Sequence, residues 1–550
     1  MERGQITGYH TTRRTVLKLL LYASGASLLA ACSSPVAPPA TGASTSTAGA
    51  SGVTPAPTGA SAQPKTGGTL RTGQVGQPLN LDPQYFTPLS GDTTFAVLDR
   101  LIDYDDQLQP QPQLAESWDQ SSDLKQLKLN LRHGVQWHDG REMTSDDVKY
   151  SMLRVRDPKV AAFASLLAAQ SGWFSTIDTP DKYTLVLGSD MPRPGVFDFL
   201  QYLTIVDKNA LEAPDAASKL NGTGPFQFIE WAQGDHMTLT RNKNYWDAGR
   251  PYLEGITISF FRDPQSQVTS LEAGSIDVAA LPQLQDAARM QSDPNYQVLA
   301  VSTVGQYFHM TANATMPPTS SKQFRQAIAF AANRQRFTDS ILNGLVGAPQ
   351  ALPWAPQSPA SEPAKNATYT YDLDKARSLI GQSGVTDMTM DITYATGGLQ
   401  QEYTLLAQLL QSDLAQLGIT ATLKQVDPQV FLDVQIKRSY KGIILSAGAY
   451  AHLQEASFLF NSSRTFSYNG DFSNSGIWDD RWTQLAQAAP TEPDATQRKA
   501  LYAQLNDVVL DLCGTMPLSR YPQTAILRGN VHGLTYNQMP RFTFPSAWLG

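Results

Sequence analysis

The first 66 residues of this 550-residue chain restrict everything after them, because they cannot form part of a packed core. Thr12-Arg13-Arg14-Thr15-Val16-Leu17-Lys18 is a twin-arginine pattern, and Leu19 to Ala31 continues it with apolar and small residues and no charge. A basic start, a short apolar run and small residues before a cut site make an export signal. The run is too short to cross a bilayer as a helix, which takes about 20 apolar residues. Ser33 to Pro64 has no charged residue and is built mostly of Ser, Thr, Ala, Gly and Pro. Such a segment buries too little apolar surface to offset the entropy of ordering, so it reads as a flexible tether, about 30 Å long on average. A globular body therefore begins near Gly67.

That body is long enough for two or more hydrophobic cores. Loss of residues 1–31 removes four basic residues and one acidic one, leaving 38 against 48 and a net charge of −10. This balance disfavours nucleic acid, whose binding needs a positive footprint. No later run is long and apolar enough to span a membrane. Only two cysteines exist. Leu29-Ala30-Ala31-Cys32 resembles the lipobox of bacterial lipoproteins, in which the cysteine becomes the lipidated first residue. Cys513 then has no disulfide partner, lies in a helical pattern and reads as a small buried hydrophobe. Thiolate zinc or iron–sulfur sites are excluded by count.

The body alternates helix and strand. Leu127, Leu129 and Leu131 alternate with Lys128, Asn130 and Arg132, which predicts a half-buried strand. His133-Gly134 and Asp139-Gly140 read as turns, with Val135 to His138 extended between them. Thr144, with Asp147 three residues on, opens a helix in the manner of a capping box. Further strands are expected at 184–187, 237–240, 256–261 and 419–426. Helices are expected at 324–334, at 403–417 with Gly418 as its stop, and from a capping box at 494–497 to Gly514. Strands interleaved with helices over this length indicate more than one α/β domain. There is no Gly-x-Ser-x-Gly elbow, His-Glu-x-x-His, phosphate loop or Gly-x-Gly-x-x-Gly, so no catalytic template is present. Trp137-His138-Asp139-Gly140 reads as a structural turn, His309 as a core or cleft-wall residue, and Tyr245-Trp246 as packing.

Several segments together resemble the family 5 extracytoplasmic solute-binding proteins, the peptide, nickel and oligopeptide group that feeds ABC importers. Gly67-Gly68-Thr69-Leu70-Arg71, Leu81-Asp82-Pro83 and Leu114-Ala115-Glu116-Ser117-Trp118 open the likeness. Leu131 to Gly140, running on to Thr144-Ser145-Asp146-Asp147-Val148, is its most specific stretch. Gly222-Thr223-Gly224-Pro225-Phe226, Arg241 to Trp246, Leu271 to Asp277 and Phe324 to Arg334 follow in the family's order, with Asn333 where Asp is common. The resemblance implies an α/β chain folded as a two-lobed, periplasmic-binding-protein-like clamshell with an additional inserted domain. Residues 1–31 would be the signal peptide and 32–66 the lipidated cysteine and linker. Residues 67–93, 210–305 and 525–550 would make lobe I, 94–209 the inserted domain II, and 306–524 lobe II.

The implied function is a substrate-binding lipoprotein of an ABC importer, which captures a peptide or peptide-like solute outside the membrane and delivers it to the permease. The alternatives are the same scaffold binding an oligosaccharide or metal chelate, and an extracytoplasmic hydrolase. The expected state is a monomer held by lipid in the periplasmic space or on the outer face of the cytoplasmic membrane. No cofactor, catalytic residue or metal site is expected. The chain departs from the family where peptide binders carry Trp-x-Ala-Asp-Tyr-x-Asp-Pro, whose Asp pairs with the peptide's α-amino group. Here the region reads Ser446-Ala447-Gly448-Ala449-Tyr450-Ala451-His452-Leu453, so either Glu455 substitutes or the ligand is not a free peptide. The ligand residues implied by the resemblance are Asp82 and Tyr85 from one lobe, and Tyr307, Gly448, Tyr450 and His452 from the other.

Overall fold

In the computed structural model of the chain, the described residues are 63–550 without 86–88, 158–159, 161–163, 214–218, 302–305, 398, 449–454, 457–458, 460–463, 471–472, 538 and 540. Cys32, Tyr450 and His452 therefore lie outside the described residues. Two sheets organise the body. The first has seven strands and the second five. In the first, strand Thr69–Val75 lies parallel to both Gly255–Phe261 and Val278–Ala280. In the second, Thr389–Ala395 lies parallel to both Thr420–Val426 and Gly442–Gly448. Motifs far apart in sequence close the first sheet: Arg71 donates to Asp277 from Nε at 3.0 Å and from its terminal nitrogen at 2.6 Å, across 206 residues.

The chain passes between the sheets at two adjacent places. Strand Tyr296–Val301 belongs to the first sheet and Tyr307–Ala312 to the second; Thr515–Arg520 belongs to the second and Gln523–Arg528 to the first. Tyr521 N–H donates to the Gln306 carbonyl at 2.9 Å, and the Gln523 amide to the Gln306 side chain at 2.8 Å. Gln523 and Thr524, expected on the lobe II side, thus pair with Val301 and Ala300 in the first sheet. Two adjacent crossings that run in opposite directions suit a hinge between two bodies.

A third core forms the inserted unit. Its apolar residues run from Leu101 to Ile205, joined by Met539, around a four-stranded sheet that includes Gln126–Leu131 and Thr184–Gly188. The helix Ser145–Arg154 starts as its sequence requires: Asp147 accepts from the Thr144 N–H at 2.8 Å. His138 is held between two backbone groups, the Gly224 carbonyl at 2.9 Å and the Gly222 N–H at 3.4 Å. Its ring therefore donates from Nε2 and accepts at Nδ1, and burial keeps its pKa below the usual value. A Cβ on Gly222 would sit 1.9 Å from the Val97 carbonyl oxygen, so only glycine permits this approach.

Three local expectations are corrected. The helix expected over 324–334 is two: Lys322–Ala331 ends, and Asn333 caps Arg334–Ser340 by accepting from the Arg336 N–H. The helix Gln400–Ala415 starts three residues earlier than expected. Cys513 terminates Ala495–Leu512 in the left-handed conformation, φ 46°, one residue before the glycine expected to do so. Its thiol is buried and raised to about 11 by desolvation. His309 is a core residue, 2 % exposed and edge-on to Phe466. Among the described residues, no helix is long and apolar enough to cross a membrane, and no group of His, Cys, Asp or Glu is placed to hold a metal ion.

Candidate functional site

In open α/β sheets ligands bind beyond the carboxyl ends of parallel strands, where loops diverge and leave a crevice. Both sheets direct such ends at one cavity of about 640 Å³. Val75 closes its strand, Arg262 and Asp263 follow Gly255–Phe261, and Gln283 follows Val278–Ala280. From the second sheet, Gly397 follows Thr389–Ala395, and Gln401, Thr404, Leu405 and Gln408 come from the helix behind it. The volume suits a small solute. Asp263 caps the helix Pro264–Glu272: its two oxygens accept from the Ser266 N–H and hydroxyl, each at 2.8 Å, which lowers its pKa. Beside the cavity, Glu402 is 5 % exposed and reaches across to the Leu284 N–H at 3.5 Å. Desolvation raises its pKa.

The expected site residues divide into two places, and none of the four described ones is among the lining residues of this cavity. Tyr307 and Gly448 are direct partners across the second sheet, with Arg520 opposite Tyr307 on the other side. The Tyr307 ring is buried and its hydroxyl meets Arg520 and, at 3.5 Å, Gln350. Asp82 and Tyr85 form a turn closed by Tyr85 N–H to the Asp82 carbonyl at 3.0 Å. The Asp82 carboxylate is engaged by both terminal nitrogens of Arg154, at 3.1 and 2.6 Å. It is an internal counter-ion in this structure, because the nearest cation belongs to the inserted unit. Glu455, weighed as a substitute anchor, is 4 % exposed, accepts from the Tyr502 hydroxyl and lies 3.6 Å from Arg498. Its own N–H donates to Asp198 of the inserted unit at 2.8 Å.

The cavity-lining Arg262, Gln283, Gln401 and Gln408 were not anticipated. A usable signal existed for one: Arg262 directly follows a strand legible in the sequence, and strand ends are where ligands collect. The glutamines carry no such mark.

Residues 109–469 match the model of bacterial extracellular solute-binding proteins, family 5 Middle. Di/tripeptide-binding protein 2 of Pseudomonas aeruginosa (strain UCBPP-PA14) is 26% identical over 459 residues, 78% of this chain and 84% of its own length. The structure of AgaA from A. tumefaciens R10 in complex with agropinic acid superposes with a TM-score of 0.72 at 25% identity, over 88% of this chain and 99% of that one. DppA from Helicobacter pylori in complex with the peptide STSA gives 0.73 at 21% identity, over 88% and 98%.

Proposed function

The chain belongs to the bacterial extracellular solute-binding proteins, family 5, and from that premise we propose that it captures a peptide or peptide-like solute between two hinged lobes for an ABC permease. The observation that carries this reading is the cavity of about 640 Å³ lined from the carboxyl ends of parallel strands of both sheets. Solute binding draws the lobes together, and the gain is limited to the solute's preference for the closed state. No bond is made or broken. The strands of the first sheet, with Gln523–Arg528 among them, and the residues that follow to 550 form lobe I, the unit within 94–209 moves with it, and 306–522 supplies lobe II. The relatives named for di- and tripeptides and for a bound peptide favour peptides as the solute class.

Titration calorimetry of the full-length protein with Ala-Ala-Ala tests the reading, together with X-ray scattering of the same samples. Saturable binding with a smaller radius of gyration is expected. Peptide hydrolysis, or no binding to any short peptide, contradicts it. The lipid tether is tested separately: Cys32→Ser is expected to move the protein from the membrane fraction to the soluble one. Arg13→Lys with Arg14→Lys is expected to block export if the twin-arginine route carries it.

A further inference from the structure

We infer that Glu402 is a positioning residue: by holding the Leu284 N–H it fixes the closed spacing of the two cavity walls, and this rests on the cavity being the solute site. Each partner directly follows a residue that lines the cavity. Gln283 precedes Leu284 and comes after the first-sheet strand Val278–Ala280. Gln401 precedes Glu402 in the helix Gln400–Ala415, behind the second sheet. The contact of 3.5 Å between the Glu402 carboxylate and the Leu284 N–H therefore ties one wall to the other. The Glu402 charge is also felt by the buried Tyr521 hydroxyl. Tyr521 lies on the second chain crossing, its N–H on Gln306 and its ring edge-on to Phe308 at 5.3 Å. A rotation about the crossings would carry Leu284 with the first sheet and Glu402 with the second, and so part them.

Both groups depend on this contact. Leu284 is the first residue of the helix Leu284–Met290, so its N–H has no acceptor within the helix, and the Gln283 side chain does not cap it. Leu284 and Glu402 are both buried. The hydrogen bonds that favour the ionised Glu402 come from backbone N–H groups, its own and that of Leu284. The energetic consequence is one-sided. With the lobes closed, loss of the carboxylate leaves a buried N–H unpaired; with the lobes open, water pairs it instead. Removal of the acceptor thus costs the closed state and spares the open one, so solute leaves sooner while its entry is nearly unchanged.

Stopped flow and calorimetry on the full-length protein with Ala-Ala-Ala test this in wild type, Glu402→Leu and Glu402→Gln. Glu402→Leu has no acceptor and is expected to release the peptide about 5- to 30-fold faster, with association within about 2-fold of wild type. Glu402→Gln keeps an acceptor oxygen and is expected to fall between the two. Leu284→Pro removes the donor instead, at a first helical position that proline tolerates and after a Gln283 backbone (φ −58°, ψ 141°) that suits it. Release from it as fast as from Glu402→Leu is expected, and it decides the matter should Glu402→Leu not fold. Urea unfolding of the peptide-free variants isolates a purely structural role: lower stability with an unchanged release rate overturns the inference. Slower release overturns it too. Failure of wild type to bind Ala-Ala-Ala or any other short peptide overturns the peptide reading and this inference with it, whereas wild-type binding with equal release from the variants overturns this inference alone.

Discussion

The inserted unit touches the rest of the body on two sides, and the two contacts are built differently. Toward the first sheet, Asp99, where the chain enters the insert, accepts from Trp246 Nε1 at 2.8 Å, from the Tyr245 hydroxyl at 3.2 Å and from the Thr223 hydroxyl at 3.1 Å. Arg154 grips Asp82 nearby, and the buried Gln84 amide donates to the carbonyls of Ser151 and Thr204. Toward the second sheet, the described contact centres on Asp198, which accepts from the Glu455 N–H and from the Tyr104 hydroxyl, each at 2.8 Å. A network of buried polar groups tied from several chain segments separates only at the cost of all its hydrogen bonds together, whereas a contact resting on one carboxylate can open. Under the hinged reading proposed above, the insert would move with the first sheet, and the Asp198–Glu455 contact would part on opening.

The largest expected effect breaks the strong side. Asp99→Ala leaves the buried Thr223 hydroxyl and the half-buried Tyr245 and Trp246 donors without their acceptor and should cost about 3–5 kcal/mol in urea unfolding. A loss below about 1 kcal/mol would show that the insert is not anchored there. Next comes acid sensitivity on the second-sheet side. Burial lowers the pKa of His309 from 6.5 to about 4, so the unfolded chain binds a proton that the folded chain refuses. Stability should be flat above pH 6.5 and fall by up to about 3 kcal/mol as pH drops toward 4. His309→Leu should flatten that slope in thermal melts across the same range.

Gly195→Ala probes the weak side alone. Its Cβ would lie 2.8 Å from the Glu455 Cβ, while the φ of −85° at Gly195 suits alanine. The expected cost is about 1–3 kcal/mol, appearing as faster solute dissociation in stopped flow with urea stability of the insert retained. Slower dissociation would reverse the assignment of which contact opens. The smallest effect belongs to Glu402→Gln. Burial raises the Glu402 pKa, so the folded carboxyl keeps its proton above the pH at which the unfolded one releases it. Stability then falls as pH rises through that window, and the glutamine variant should lose the slope while staying within about 1 kcal/mol of wild type at pH 7.

Local chemistry made much of the fold legible. The capping pattern at Thr144 and Asp147, the alternation at Leu127 to Leu131 and the stop at Gly418 each depend on residues within one turn or one strand, and the structure places them accordingly. Order and spacing of motifs carried the family resemblance, because the same packing constraints recur at the same intervals. The export pattern and the uncharged tether expected in the first 66 residues lie, up to residue 62, outside the described residues. What a carboxylate does is a different kind of fact. Asp82 is 72 residues from Arg154, and Asp198 is 257 from the Glu455 N–H that it accepts. Nothing in their own neighbourhoods marks one as an internal counter-ion and the other as a joint between bodies. The cavity's guanidinium and amides became a set only because two sheets aim their strand ends at the same space, and long-range geometry of that kind has no local signature for a sequence to display.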